Sequence, residues 1–140
     1  PAVMKQELVE ATILAGLGTI ADVMPLVEEN RALAALALRG LPGSKMPGLR
    51  ALLLESGHGP HDGPVHEEVI QFQLAPRINA LGRFGSPMPA VELLTSVDTG
   101  PDGVRASTTL AREITSVNLQ RREAERAIVE EAITRAEAEG

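Results

Sequence analysis

Apolar residues recur along this chain at helical intervals. Leu8, Ala11, Ile13, Leu14 and Leu17 lie close to one stripe of a helix from Met4 to Leu17. Gly16 and Gly18 are expected to stop it, leaving Gly18-Thr19-Ile20-Ala21-Asp22 as a short connection. A second helix is expected from Glu28, because Glu28 and Glu29 suit the positive end of a helix dipole. It continues through Leu33, Leu36 and Ala37 and ends at Gly40-Leu41-Pro42-Gly43. A third spans Ser44 to Gly57, with Pro47 in its first turn, Leu49, Leu52 and Leu53 on its buried face and Gly57 closing it.

Gly57 to Pro64 is rich in Gly, Pro and His and reads as an exposed loop. His66 to Leu74 reads as a short helix interrupted by Pro76, with Phe72 in the core. Ala75 to Ser86 reads as irregular, and Met88 to Val97 is again helical. The last helix begins at Pro101 and carries Leu110, Ile114, Val117, Ala124, Ile128 and Ala132 at steps of three, four or seven. At 1.5 Å per residue it would reach almost 60 Å, which suits an element joining two bodies. No strand, repeat or low-complexity tract stands out. The expectation is a mainly α chain.

Composition sharpens this picture. With two aromatics, Phe72 and Phe84, and 44% hydrophobic residues, the core must be aliphatic. The absence of Cys excludes disulfides and thiolate metal sites. No apolar run approaches the roughly 20 residues that span a bilayer. The chain opens at Pro1, so it is expected to begin in mid-protein. A net charge of −6 argues against a broad electrostatic grip on nucleic acid, so any polyanion site must be local.

Two blocks carry a resemblance. The first is Leu17-Gly18-Thr19-Ile20-Ala21-Asp22-Val23-Met24-Pro25-Leu26, followed by Glu29-Asn30-Arg31. The second is Phe72-Gln73-Leu74-Ala75-Pro76-Arg77-Ile78-Asn79-Ala80-Leu81-Gly82-Arg83. Pro47-Gly48-Leu49-Arg50-Ala51-Leu52-Leu53 and Asn118-Leu119-Gln120-Arg121-Arg122 add to them. In this order the blocks resemble the RecJ branch of the DHH phosphoesterase family, from about Leu8 to Ala132.

The resemblance implies the helical second half of an α/β DHH domain, residues 1–98, and a long inter-domain connecting helix, residues 99–140. The family's earlier aspartate motifs, its Asp-His-His motif and its DHH-associated domain are not in this sequence. It implies a metal-dependent exonuclease that hydrolyses single-stranded DNA 5′→3′ in repair and recombination. The implied location is the bacterial cytoplasm, away from membranes. Implied partners are single-stranded DNA, single-strand-binding protein and the remainder of the same polypeptide. The cofactor would be a pair of Mn²⁺ or Mg²⁺ ions, which activate water and stabilise charge on the attacking and leaving oxygens.

An isolated Asp after a helix is most often a capping or loop residue. The resemblance instead makes Asp22 a catalytic metal ligand, with Gly18 and Ala21 letting the backbone pass close to the metals. Arg77, Asn79 and Arg83 would contact DNA phosphate, since Arg binds phosphate oxygens bidentately and stays charged. The alternative for Arg77, Asn79 and Arg83 is structural bonding to carbonyls. Phe84, beside Arg83, is the candidate for base stacking. His58, His61 and His66 match no closed zinc spacing and read as solvated loop residues. Two other functions remain open. One is a DHH phosphodiesterase acting on short or cyclic oligonucleotides, and the other is a non-catalytic helical interaction module. A single metal ligand cannot hold two ions, so the chain alone is expected to be inactive.

Overall fold

The computed structural model describes residues 2–59 and 61–139; the side chains of Phe84 and Glu139 also lie outside the described residues. Its elements are α1 (Ala2–Ala21), α2 (Glu28–Gly40), a 3₁₀ turn (Leu41–Gly43) and α3 (Pro47–Glu55). There follow α4 (Glu67–Val69), a π-helical turn (Ile70–Leu74), α5 (Ala75–Phe84), α6 (Met88–Thr95) and α7 (Pro101–Glu139). No strand occurs among the described residues. The α-helical expectation holds.

The layout has two parts sharing one core. α1 and α2 pack against each other, and α3, α5 and α6 pack against the first half of α7. Ile13, Ile20, Leu41, Leu49, Leu52, Ile70, Leu74, Leu93 and Ile114 are fully buried, so the core is aliphatic throughout. α7 meets its neighbours through Gly103, Ser107, Ala111, Ile114 and Asn118, all buried and spaced four, four, three and four apart. Small side chains at three of these positions allow close approach. The apolar residues expected to continue the stripe, Ala124, Ile128 and Ala132, are instead exposed, as is every described side chain after Arg121. That half is supported by ion pairs between Arg121 and Glu125 and between Arg135 and Glu131, each one turn apart.

Further expectations are corrected. α1 does not stop at Gly16 but runs through Gly16 and Gly18 to Ala21. Gly16 is there for packing: a Cβ on it would meet the Leu33 carbonyl oxygen at 2.3 Å. Pro76 does not interrupt the chain, and Ala75 to Phe84 is helical rather than irregular. The π-turn explains this, because the Ala75 N–H reaches back five residues to the Ile70 carbonyl. That turn shifts the bonding register before Pro76, which has no N–H to contribute and occupies an early position of α5. Phe72 is not in the core; its side chain is 73% exposed. On α2 the buried positions are Ala34 and Ala37, while Leu36 faces out.

Candidate functional site

Asp22 is the first residue past α1, and the chain there closes in a Schellman turn. The Val23 N–H bonds the Ile20 carbonyl at 3.1 Å and the Met24 N–H bonds the Thr19 carbonyl at 3.1 Å. This closure needs a left-handed residue at position 23, a role glycine usually fills, yet Val23 adopts φ 54°. A β-branched side chain there is strained by about 1–2 kcal/mol. The turn directs the following segment outward, and Asp22, Val23, Met24, Leu26 and Val27 are all exposed. Asp22 enters no ion pair among the described residues. Its carboxylate is therefore free to meet a cation.

The helical form of α5 divides the three remaining candidates. Residues two apart on a helix point about 160° apart, and residues four apart nearly coincide. Asn79 and Arg83 accordingly share one exposed face, while Arg77 turns inward and is half-buried. Arg77 Nη1 donates to the Gln73 carbonyl at 2.6 Å, Nη2 to the Glu55 carbonyl at 3.2 Å and Nε to Thr115 Oγ1 at 3.3 Å. One guanidinium thus ties the end of α3, the π-turn and α7 together. Three of its five N–H groups are engaged by these bonds, leaving two for an outside ligand. Burial pulls its pKa below the ordinary arginine value, Arg122 adds to that, and Glu55 opposes it. Neither a hydrogen bond nor an ion pair joins Asp22 to Arg77, Asn79 or Arg83 among the described residues.

The histidine loop brings together no metal-holding group among the described residues. His58 is half-buried, with Nδ1 3.3 Å from the Ser56 carbonyl, while His61 and His66 are exposed. Among the described residues no group of three or more His, Asp or Glu could hold a metal ion. Asp22 therefore belongs to no preassembled metal-holding group among the described residues.

Sequence reasoning missed Glu10. It is buried, its Oε2 accepts from Ser44 Oγ at 2.6 Å, and its Oε1 accepts from the Lys45 N–H at 2.7 Å and Gln6 Nε2 at 2.8 Å. This carboxylate fastens α1 to the segment that opens α3. Its position three residues before Ile13 and seven before Leu17 was the available signal: an acid in line with an apolar stripe.

Comparison with known proteins gives the class first. The chain is homologous to single-stranded-DNA-specific exonucleases, although no protein-family model matches it. Its relatives are RecJ proteins. It is 41% identical over 127 residues to RecJ of Bacillus subtilis, covering 91% of this chain and 15% of that protein. The backbone matches the crystal structure of Thermus thermophilus RecJ in complex with Mn²⁺ with TM-score 0.76 and 34% identity, covering 88% of this chain and 17% of that one. The same organism's RecJ in complex with Mg²⁺ matches with TM-score 0.75 and 34% identity, over 88% of this chain and 18% of that one. The chain therefore spans about one sixth of the length of these relatives.

Proposed function

We propose that this chain is the helical second half of the DHH domain, residues 1–98, and the connecting helix, residues 99–140, of a RecJ-type exonuclease. The whole enzyme would hydrolyse single-stranded DNA 5′→3′ in bacterial DNA repair and recombination, in the cytoplasm. The observation that carries this reading is the match to RecJ in both sequence and backbone over about nine tenths of the chain. No helix is long and apolar enough to cross a membrane among the described residues.

In this reading Asp22 supplies one ligand to a pair of Mn²⁺ or Mg²⁺ ions, which supply Lewis acidity and an activated water when bound. Its free, exposed carboxylate at a strained turn supports the role. Asn79 and Arg83 present a carboxamide and a guanidinium to the DNA from the exposed face of α5. Arg77 contacts phosphate through its two remaining N–H groups while it positions α3 against α7. Phe84 remains a stacking candidate, though its side chain lies outside the described residues. The remaining metal ligands come from the rest of the polypeptide, which also covers the apolar surface at Val23, Met24, Leu26 and Val27. Single-strand-binding protein is a further partner by family analogy.

The isolated chain is inactive in this reading, and Mn²⁺-dependent cleavage by the purified chain would overturn that claim. The main test compares the full-length polypeptide with its Asp22→Ala variant on 5′-labelled single-stranded DNA with Mn²⁺. Activity in the parent and collapse in a folded variant support the assignment. Equal activity removes Asp22 from the metal centre. An inactive parent favours a helical interaction module, for which Ile128, Val129 and Ile133 on the free half of α7 provide the apolar face.

A further inference from the structure

The π-turn places an aromatic ring where an aliphatic core would not use it. Phe72 is 73% exposed and sits between the half-buried Gln71 and Gln73. Phe72 lies in the π-turn that leads directly into α5, where Pro76, Asn79 and Arg83 follow at steps of three and four, the spacing of one helical face. Phe72, Asn79 and Arg83 are exposed, and Pro76 is half-buried. From Phe72 to Arg83 the face runs roughly 16 Å along the axis, several times the about 3.4 Å base spacing of a stacked strand. π-turns interrupt helices preferentially at functional sites.

The three exposed side chains offer three different chemistries in line. A phenyl face takes any nucleobase by stacking, without regard to sequence. A carboxamide donates and accepts, as a base edge requires. A guanidinium takes a phosphate. It follows that a grip made this way needs no broad positive surface, which suits a chain of net charge −6.

We infer that Phe72 is a base-stacking residue for single-stranded DNA, at one end of a platform that Asn79 and Arg83 continue along α5. The inference rests on the nuclease reading above and adds to it the residue that holds a base rather than a phosphate. Sequence-tolerant stacking on Phe72 would let each new nucleotide occupy the same place as the strand advances.

The test uses the full-length polypeptide with metal chelated, so that binding is read without cleavage. Fluorescence anisotropy compares the unsubstituted protein, Phe72→Leu and Phe72→Trp on oligothymidylate and on an abasic oligonucleotide of equal length. Thermal melting is followed in parallel. Leucine keeps the apolar volume but not the aromatic face, so Phe72→Leu is expected to weaken oligothymidylate binding about fivefold or more. Phe72→Trp restores it, melting is unchanged, and neither substitution alters binding to the abasic strand. Tight binding by Phe72→Leu overturns the inference. So does an equal loss on the abasic strand, or loss of binding by Leu and Trp alike in step with falling melting temperature, which would mark the ring as packed against protein. If the unsubstituted protein binds no single-stranded DNA, the nuclease reading fails and takes the inference with it. If it binds and Phe72→Leu is neutral, the inference alone fails.

Discussion

Gly16 on α1 lies so close to Ala37 on α2 that a methyl group at position 16 would sit 2.4 Å from the Ala37 Cβ and 2.3 Å from the Leu33 carbonyl oxygen. The obstructing atoms include backbone, which cannot swing aside, so the two helices would have to separate. Gly18, two residues on, has nothing within 4 Å of the same added atom. Helix propensity favours alanine at both sites by about 1 kcal/mol. Overpacking opposes it only at Gly16, by about 3 kcal/mol. Gly16→Ala is therefore expected to lower the stability of the chain by about 2 kcal/mol, and Gly18→Ala to raise it by about 0.5–1 kcal/mol. Urea unfolding followed by circular dichroism separates the two, and equal effects would refute the packing role of Gly16.

Val23 holds a left-handed conformation, φ 54°, at the position where a Schellman turn favours glycine. Val23→Gly releases about 1–2 kcal/mol of backbone strain and gives back about 0.5–1 kcal/mol in unfolded-chain entropy. A net gain of roughly 0.5–1 kcal/mol is expected, visible as a raised urea midpoint. Retention of valine at a strained turn beside Asp22 is consistent with a turn kept for position rather than stability. In the full-length polypeptide, Val23→Gly should accordingly stabilise the fold while lowering Mn²⁺-dependent cleavage; a stabilised variant with undiminished activity would separate the strain from function.

Glu10 bridges Ser44 and Lys45 across 34 and 35 residues of chain. Removing its carboxylate leaves the Ser44 hydroxyl and the Lys45 N–H without their acceptors. Glu10→Ala should cost about 2–3 kcal/mol, within the range for hydrogen bonds to a charged group. Glu10→Gln retains an acceptor for Lys45 and an amide for Ser44, so it should cost less than half as much. Equal melting temperatures for the two variants would show that packing, and not hydrogen bonding, fixes Glu10.

Much of this was legible in the sequence, for identifiable reasons. Leu49, Leu52 and Leu53 mark α3 because their spacing carries the burial directly, and Pro47 marks its start. The exposed second half of α7 follows from a stretch rich in Ala, Glu and Arg, good helix formers, whereas the first half, with Gly103, Thr108, Thr109 and Asn118, is helical because one of its faces is buried. Gly16 and Pro76 misled because each has a local meaning, helix stop, that tertiary structure overrides. Contact with Ala37 and Leu33 explains Gly16, and a π-turn five residues long accommodates Pro76. Neither partner can be read from the neighbouring residues. The exposure of Phe72 was hidden for the same reason, since its direction depends on that turn. Asp22 offers no local signal that separates a ligand from a cap, and only its surrounding block pointed to metal.

Arg77 and Arg83 lie six residues apart on α5 and should fail in different ways. Arg77 joins three elements through carbonyls of Glu55 and Gln73 and the Thr115 hydroxyl, bonds that a lysine cannot reproduce because its single ammonium has no planar fork. Arg77→Lys is expected to lower stability by about 1–3 kcal/mol. In the full-length polypeptide, loss of single-stranded DNA binding should follow that loss of stability. Arg83 is exposed and has no ion pair among the described residues. Arg83→Ala should leave melting unchanged while weakening DNA binding and reducing the dependence of log K on log salt by about one contact. Salt titrations of both variants, read beside their melting curves, distinguish an arginine that also holds the fold together from one that only binds phosphate. An unchanged salt slope in a stable Arg83→Ala protein would remove Arg83 from the interface, while a stable Arg77→Lys protein would show that the three bonds contribute little to holding α3, the π-turn and α7 together.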